Sequence, residues 1–244
     1  MLNTEAEKSG SIGKRNMEKR RPIYVISESG VFSGTLAEFS AALSAGLAYT
    51  EVRLSEDDAR MADIAGAVET EDAAIVVVGL CSEKNIQAYL NRFRELRVPY
   101  VFVKEGQKVD FADVAVPVTF LEEEKEKGPF AGAFGRFFGS SLHIYKPKDY
   151  GSKAERNVNA ICGLLDTLHL NYDVREGQKD SMGIEREAVI EAGECGMGMA
   201  IVSASREYGL DDIIFGPKER KIIRLAKVPV MLINPRGDLY ALCD

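Results

Sequence analysis

Histidine is scarce in this chain: His143 and His169 are the only two in 244 residues. A zinc centre or a Ser-His-Asp triad needs an imidazole within reach of partners at a recurrent spacing. Neither histidine has such partners in sequence, so both read as surface or half-buried side chains. Cysteine is sparse as well. Cys81, Cys162, Cys195 and Cys243 are scattered and form no C-x-x-C pair, so four free thiols are expected, in keeping with a reducing cytoplasm. No apolar run approaches the roughly 18 residues of a membrane span, and the N-terminal stretch lacks the apolar core of a secretory signal. Positive charge is in deficit too. With a formal net charge of -7, a pI near 5.1 and no basic stripe interleaved with aromatics, neither nucleic acid nor membrane is expected as a partner. What remains, 45% hydrophobic and 28% charged residues, is the composition of a globular, cytoplasmic protein.

The first 21 residues carry Lys8, Lys14, Arg15, Lys19, Arg20 and Arg21 among serine, glycine and asparagine, and read as a flexible tail. Order begins at Pro22. Ile23 to Ile26 form a short continuous apolar run, as in a strand buried on both faces of a parallel sheet. A helix follows in which Thr35 and Glu38 have capping-box spacing and Leu36, Phe39, Ala42 and Leu43 mark the apolar face. The alternation continues with strands over 49–54, 74–80 and 98–103, separated by helical stripes that include Met61, Ile64, Ala65 and Val68 and by a helix over 82–96.

The pattern then starts again. Val114 to Leu121 read as a strand, and Phe130, Phe134, Phe137 and Phe138 fall on one helix face that is expected to pack into the core. The preceding Glu122, Glu123 and Glu124 suit a helix N-terminus and read as a solvated face. Leu142 to Tyr145 make the next strand. Ser152 and Glu155 repeat the capping-box spacing before a helix with Val158, Ile161, Cys162, Leu165 and Leu168. A short strand over 172–175 comes next, then a helix with Ile184, Ala188, Ala192 and Cys195 on one side. A strand over 199–203, a closing helix from Pro217 to Ala226 and a last strand over 228–233 complete the half, which ends in the turn Asn234-Pro235-Arg236-Gly237.

Strands that alternate with helices of this length imply parallel strands joined by right-handed crossovers. The repeat shows in the letters: Arg97-Val98-Pro99-Tyr100-Val101-Phe102-Val103 matches Lys227-Val228-Pro229-Val230-Met231-Leu232-Ile233, and Ala74-Ile75-Val76 echoes Ala200-Ile201-Val202. The expected fold is therefore α/β, two tandem Rossmann-like open parallel sheets with helices on both faces, four strands in the first and five in the second. The divisions are a tail over 1–21, a first half over 22–108 and a second over 109–244.

From Val114 to Gly237 the chain resembles a universal stress protein domain. The resemblance rests on the strand ending in Pro-Val-Thr-Phe before glutamates, the return strand, and the closing Ala-Lys-Val-Pro-Val-Met-Leu-Ile; the first half is similar in outline, with Val98-Pro99 as its best match. The resemblance implies a flavodoxin-like strand order and antiparallel pairing through the Val-Pro strand. The chain would then be its own pseudo-dimer, joined through Val98–Val103 and Val228–Ile233.

Members of that family that hold ATP carry an acidic residue after the first strand and Gly-x2-Gly-x9-Gly-Ser/Thr after the fourth. In such a loop the glycines admit phosphates to the backbone amides of a helix N-terminus. By that resemblance the corresponding positions here are Thr119, Ser203, Arg206 and Gly216-Pro217, of which only Gly216 keeps the family's residue type. Arg206 obstructs backbone approach, and Pro217 has neither hydroxyl nor amide hydrogen. In the first half, Ser27 or Glu28 follows the first strand, Cys81 to Asn85 run into a helix without a glycine loop, and Gly30 and Gly34 read as a turn with a helix start. The expectation is a non-catalytic stress-response or regulatory module that acts through protein contacts or self-association and has no cofactor. The alternative is an ATP-binding stress protein that uses Arg206 as a phosphate fork, with slow hydrolysis at most.

Overall fold

The structure is a computed structural model that describes residues 20–32, 34–148, 152–205 and 217–236. The expected N-terminal tail, up to residue 19, therefore lies outside the described residues. The first half comprises β1 (Pro22–Ser27), α1 (Gly34–Leu47), β2 (Thr50–Leu54), α2 (Ile64–Thr70), β3 (Ile75–Leu80), α3 (Ile86–Phe93) and β4 (Tyr100–Lys104). The second comprises β5 (Asp113–Pro117), α4 (Lys127–Phe138), β6 (Ser141–Lys146), α5 (Lys153–Thr167), β7 (Tyr172–Glu176), α6 (Ile184–Glu194), β8 (Met199–Ser203), α7 (Lys218–Leu225) and β9 (Val230–Ile233). Four strands and five strands alternate with helices, as the apolar runs imply.

The two expected sheets are one, in the order β2-β1-β3-β4-β9-β8-β5-β6-β7. Every pair is parallel except β4 with β9, where Tyr100 lies opposite Leu232, Val101 opposite Met231 and Phe102 opposite Val230. Each of these strands is the last of its half, and the paired residues of both are apolar. Pairing them satisfies two rows of amides that would otherwise be exposed edges, and this merges the sheets.

Strand order follows from which face each helix covers. One core cluster gathers Ile64, Phe93, Ile184 and Ile222 from α2, α3, α6 and α7, with Met61 just before α2, on one side of the sheet. The other gathers Leu36, Phe39, Phe134, Val158 and Ile161 from α1, α4 and α5 on the opposite side. In the first half α1 and α2 lie on opposite faces, so right-handed crossovers place β2 and β3 on either side of β1, the flavodoxin-like arrangement. In the second half the order differs from that expectation. Both α4 and α5 cover the same face, so β6 and β7 step outward in one direction before α6, on the other face, returns the chain to β8 beside β5. Counted from β5, the order is 3-2-1-4-5.

Local expectations are corrected at several points. Phe137 is 52% exposed, while Phe130, Phe134 and Phe138 pack on the core. The innermost face of α4 is made of Gly128, Ala131, Gly132 and Gly135, with Phe137 rotated out of it. A methyl group added to Gly128, Gly132 or Gly135 would press on Leu164, Leu168 or Leu170 at 3.1, 3.2 and 3.0 Å, so the glycines set the approach of α4 to α5. Thr35 does not box with Glu38; its amide and hydroxyl donate to Glu105 at 3.4 and 3.2 Å. Ser152 does sit at the start of α5, but its hydroxyl accepts from Arg156 at 2.9 Å instead of capping the helix. Cys195 lies past the end of α6 and is exposed, because the helix stops at Glu194 and Gly196 turns the chain with φ +68°.

Candidate functional site

The chain leaves β5 toward β6 on one side and reaches β8 on the other, with Val114 beside Met199 and Ala115 beside Ala200. The crevice beyond the C-terminal ends of these strands is the switch point at which open α/β sheets take ligands. Thr119, two residues beyond β5, and Ser203, the last residue of β8, both lie at this end, and both are buried. Arg206 and Gly216 lie outside the described residues, and Pro217 immediately precedes α7.

A chain of buried charges occupies this end of the sheet. Lys127, the first residue of α4, is fully buried and donates to the Pro117 carbonyl at 2.6 Å and to Glu124 Oε2 at 2.7 Å. The same Glu124 oxygen accepts the Thr119 amide at 2.9 Å. On its other side Lys127 lies 3.6 Å from Glu185 Oε1, and that oxygen accepts the Ser203 amide at 3.3 Å. Glu185 Oε2 accepts from Lys218 Nζ at 2.7 Å. Two residues beyond Ser203, the Ser205 amide donates to Glu219. Asn157 of α5 completes the wall by donating to the Thr119 carbonyl at 2.9 Å and the Leu121 carbonyl at 2.6 Å.

These contacts set the charge states. Burial alone would raise the Glu185 carboxyl, but Lys218 and Lys127 outweigh it and hold the group below the usual glutamate range. Desolvation lowers Lys218, yet Glu185 overcomes it and raises this ammonium above an ordinary lysine. Glu219 goes the other way, pushed up by burial that Lys218 and the Ser205 contacts offset only in part; its Oε2, like Glu124 Oε1, is buried with no hydrogen-bond partner among the described residues. Chemically, carboxylates of the chain already take the amides of Ser203 and Ser205, and both lysines are held by carboxylates.

Sequence reasoning missed this network. In sequence Glu124 reads as part of a solvated face, whereas the fold buries it fully. The available signal was Lys127, which stands one heptad before Phe134 on the apolar side of α4 and three residues after Glu124, a spacing at which helical side chains meet.

The first half has its own crevice at the β1–β3 switch point, a cavity of about 470 Å³ lined by Ser27, Ser29, Cys81, Ser82, Lys104 and Glu105 among others. Here again carboxylates take the amides. Glu28 accepts from the Cys81 and Ser82 amides, at 2.5 and 2.9 Å, and from the Asn85 side chain; Glu105 caps α1. Gly30 and Gly34 both have positive φ, +72° and +58°, as a turn before a helix requires. The cation at this wall, Lys104, is pulled below the ordinary lysine value by burial and donates to the Ile223 and Arg224 carbonyls at 3.0 and 3.2 Å.

Neither histidine enters these sites. His143 is buried between Asp113, 2.9 Å from Nε2, and Asp173 at Nδ1, and His169 is exposed with φ +53°. No cluster of three metal-ligating side chains occurs among the described residues. Cys81, Cys162 and Cys195 are free thiols; Cys243 lies outside the described residues. No described helix is long and apolar enough to cross a membrane.

The sequence matches no protein-family model and no curated protein. Among solved structures, a universal stress protein from Archaeoglobus fulgidus DSM 4304 superposes with a TM-score of 0.60 at 14% identity, covering 89% of this chain and 87% of that one. A putative universal stress protein from Pseudomonas aeruginosa UCBPP-PA14 gives 0.56 at 13%, over 91% and 96%. A functionally unknown protein from P. aeruginosa PAO1 gives 0.56 at 13%, over 91% and 95%. The chain has the universal stress protein fold.

Proposed function

We propose that this chain is a non-catalytic, universal stress protein-like module of the stress-response or regulatory kind, a cytoplasmic protein that acts through protein contacts and holds no nucleotide. The observation that carries this reading is the occupation of the Ser203 amide by Glu185 and the Ser205 amide by Glu219. An incoming phosphate would have to displace Glu219 and the Glu185 carboxylate, which is itself tied to Lys127 and Lys218, and it would leave those lysines or that carboxylate unpaired. The first-half crevice supports the same reading, since Glu83 and Glu105 line it, Glu28 takes the Cys81 and Ser82 amides beside it, and Lys104 in its wall is already bonded to α7. The pairing of β4 with β9 supports a built-in pseudo-dimer of two stress-protein-like halves.

Mass spectrometry of gently purified protein under native conditions tests the reading. The expected spectrum is the bare chain or its oligomers; a retained nucleotide lost in the Arg206→Ala variant would favour the ATP-binding alternative instead.

A further inference from the structure

The sheet ends at β7, whose sequence is Tyr172-Asp173-Val174-Arg175-Glu176. On its inner side β7 pairs with β6, and on its outer side no strand follows among the described residues. Which backbone groups face outward can be read from the hydrogen bonds at either end of the pair. The Asn171 carbonyl accepts from the Leu142 amide at 3.0 Å, and the Gly177 amide donates to the Lys146 carbonyl at 2.9 Å. Alternation then turns Asp173 and Arg175 inward and leaves the amides and carbonyls of Tyr172, Val174 and Glu176 directed outward. Val174 is also 44% exposed.

Charged side chains on an edge strand ordinarily guard against pairing. Here they fit one partner in one register. If a second β7 runs antiparallel across a two-fold axis at Val174, Val174 faces its own copy and Tyr172 faces Glu176 of the other chain. These are the hydrogen-bonded pairs, so every outward amide and carbonyl of the three residues is used. Asp173 then lies opposite Arg175 of the other copy, twice, in the closer non-hydrogen-bonded pairs with Cα atoms about 4.5 Å apart. Opposite charges at that spacing attract. Within one chain Asp173 Oδ2 accepts from Arg175 Nε at 2.8 Å, and the guanidinium also donates to Tyr145 and Glu191 and lies 2.9 Å from His143 Nδ1; this leaves one of its five N–H groups for the Asp173 of the other copy.

The opposite edge of the sheet is less suited. The Thr50 amide goes to the Arg21 carbonyl on β1's side at 3.1 Å, so β2 turns only Glu51 and Arg53 outward. Glu51 there accepts from Ser44, Arg53 lies over the Phe32 ring, and Val52 packs on the core. We propose that the β7 edge is an isologous homodimer interface, in which two copies join their sheets antiparallel about Val174 with reciprocal Asp173–Arg175 pairs. It stands independently of the reading of the crevices.

Sedimentation velocity on the full chain at tens of micromolar tests this. The natural protein is expected at twice the 26.8 kDa chain mass. Val174→Pro removes an amide hydrogen that faces outward, a position at which edge strands accept proline, so it should sediment as a monomer that still unfolds in one cooperative transition, at a melting temperature independent of protein concentration. Arg175→Glu should weaken the dimer at least tenfold, and adding Asp173→Arg should restore it, whereas Arg53→Glu on the other edge should have no effect. A natural protein that stays monomeric, or a dimer indifferent to both Val174→Pro and Arg175→Glu, overturns the proposal. Should Val174→Pro fail to fold, the Arg175→Glu result and its rescue decide.

Discussion

Glu185 accepts the backbone amide of Ser203 at 3.3 Å, so the amide that closes β8, where an anion would enter, is already occupied by a carboxylate from the neighbouring helix. Glu185 lies 3.6 Å from Lys127 and 2.7 Å from Lys218. The same carboxylate therefore ties α6, α4 and α7 to one another at this end of the sheet.

Removing one member of such a network leaves a charge buried without its partner, at a cost of about 3–5 kcal/mol. Lys127→Ala is expected to lose stability in that range in urea titrations, with Glu124 and Glu185 left facing each other. A loss under about 0.5 kcal/mol, the level of an ordinary surface substitution, would show that water reaches the site.

The two glutamates of α6 and α7 are expected to respond to pH in opposite senses. Glu185 has a depressed pKa in the folded chain, so its contribution is present above the unfolded value of about 4.5 and is lost as pH falls through the folded one. Glu219 has a raised pKa; its contribution is present below about 4.5 and is lost as pH rises through the folded value. Hence Glu185→Gln should destabilise at pH 7 and flatten the acid limb of a stability profile, while Glu219→Gln should leave stability at pH 7 equal or higher. Equal losses for the two variants would contradict this assignment.

At the seam, Val101 and Met231 lie opposite each other in the same core cluster. Met231→Ala is expected to cost about 2–5 kcal/mol, and a double-mutant cycle with Val101→Ala should give a coupling of about 0.5 kcal/mol or more, within one cooperative unfolding transition. Additive effects and two separate transitions would mean that the halves fold independently.

Thiol reactivity should follow exposure. Burial raises the Cys162 thiol above its ordinary value, whereas Cys81 and Cys195 are exposed. Brief alkylation followed by peptide mass spectrometry should label Cys81 and Cys195 well before Cys162.

Strand runs such as Met199 to Ser203 were legible because a buried parallel strand is written in consecutive apolar residues. So was the seam, from its two Val-Pro runs. The second-half order was not, because it depends on which sheet face α5 covers, and Val158, Ile161 and Leu165 serve either face equally. Thr119 and Ser203 lie at one crevice, beyond the ends of β5 and β8. What occupies it was hidden, because Glu185 and Lys218 are brought to Lys127 only by the packing of three helices distant in sequence, and a glutamate in a polar run reads as surface. Phe137 misled for the complementary reason: its aromatic ring suggested core, while three glycines made the contact.

The most direct test of the central claim is calorimetric titration of ATP into the natural chain. Occupied amides at Ser203 and Ser205 predict no binding, or a dissociation constant no tighter than about 100 µM, since each lost phosphate contact costs roughly 1 kcal/mol or more. Micromolar binding that disappears with Arg206→Ala would contradict it.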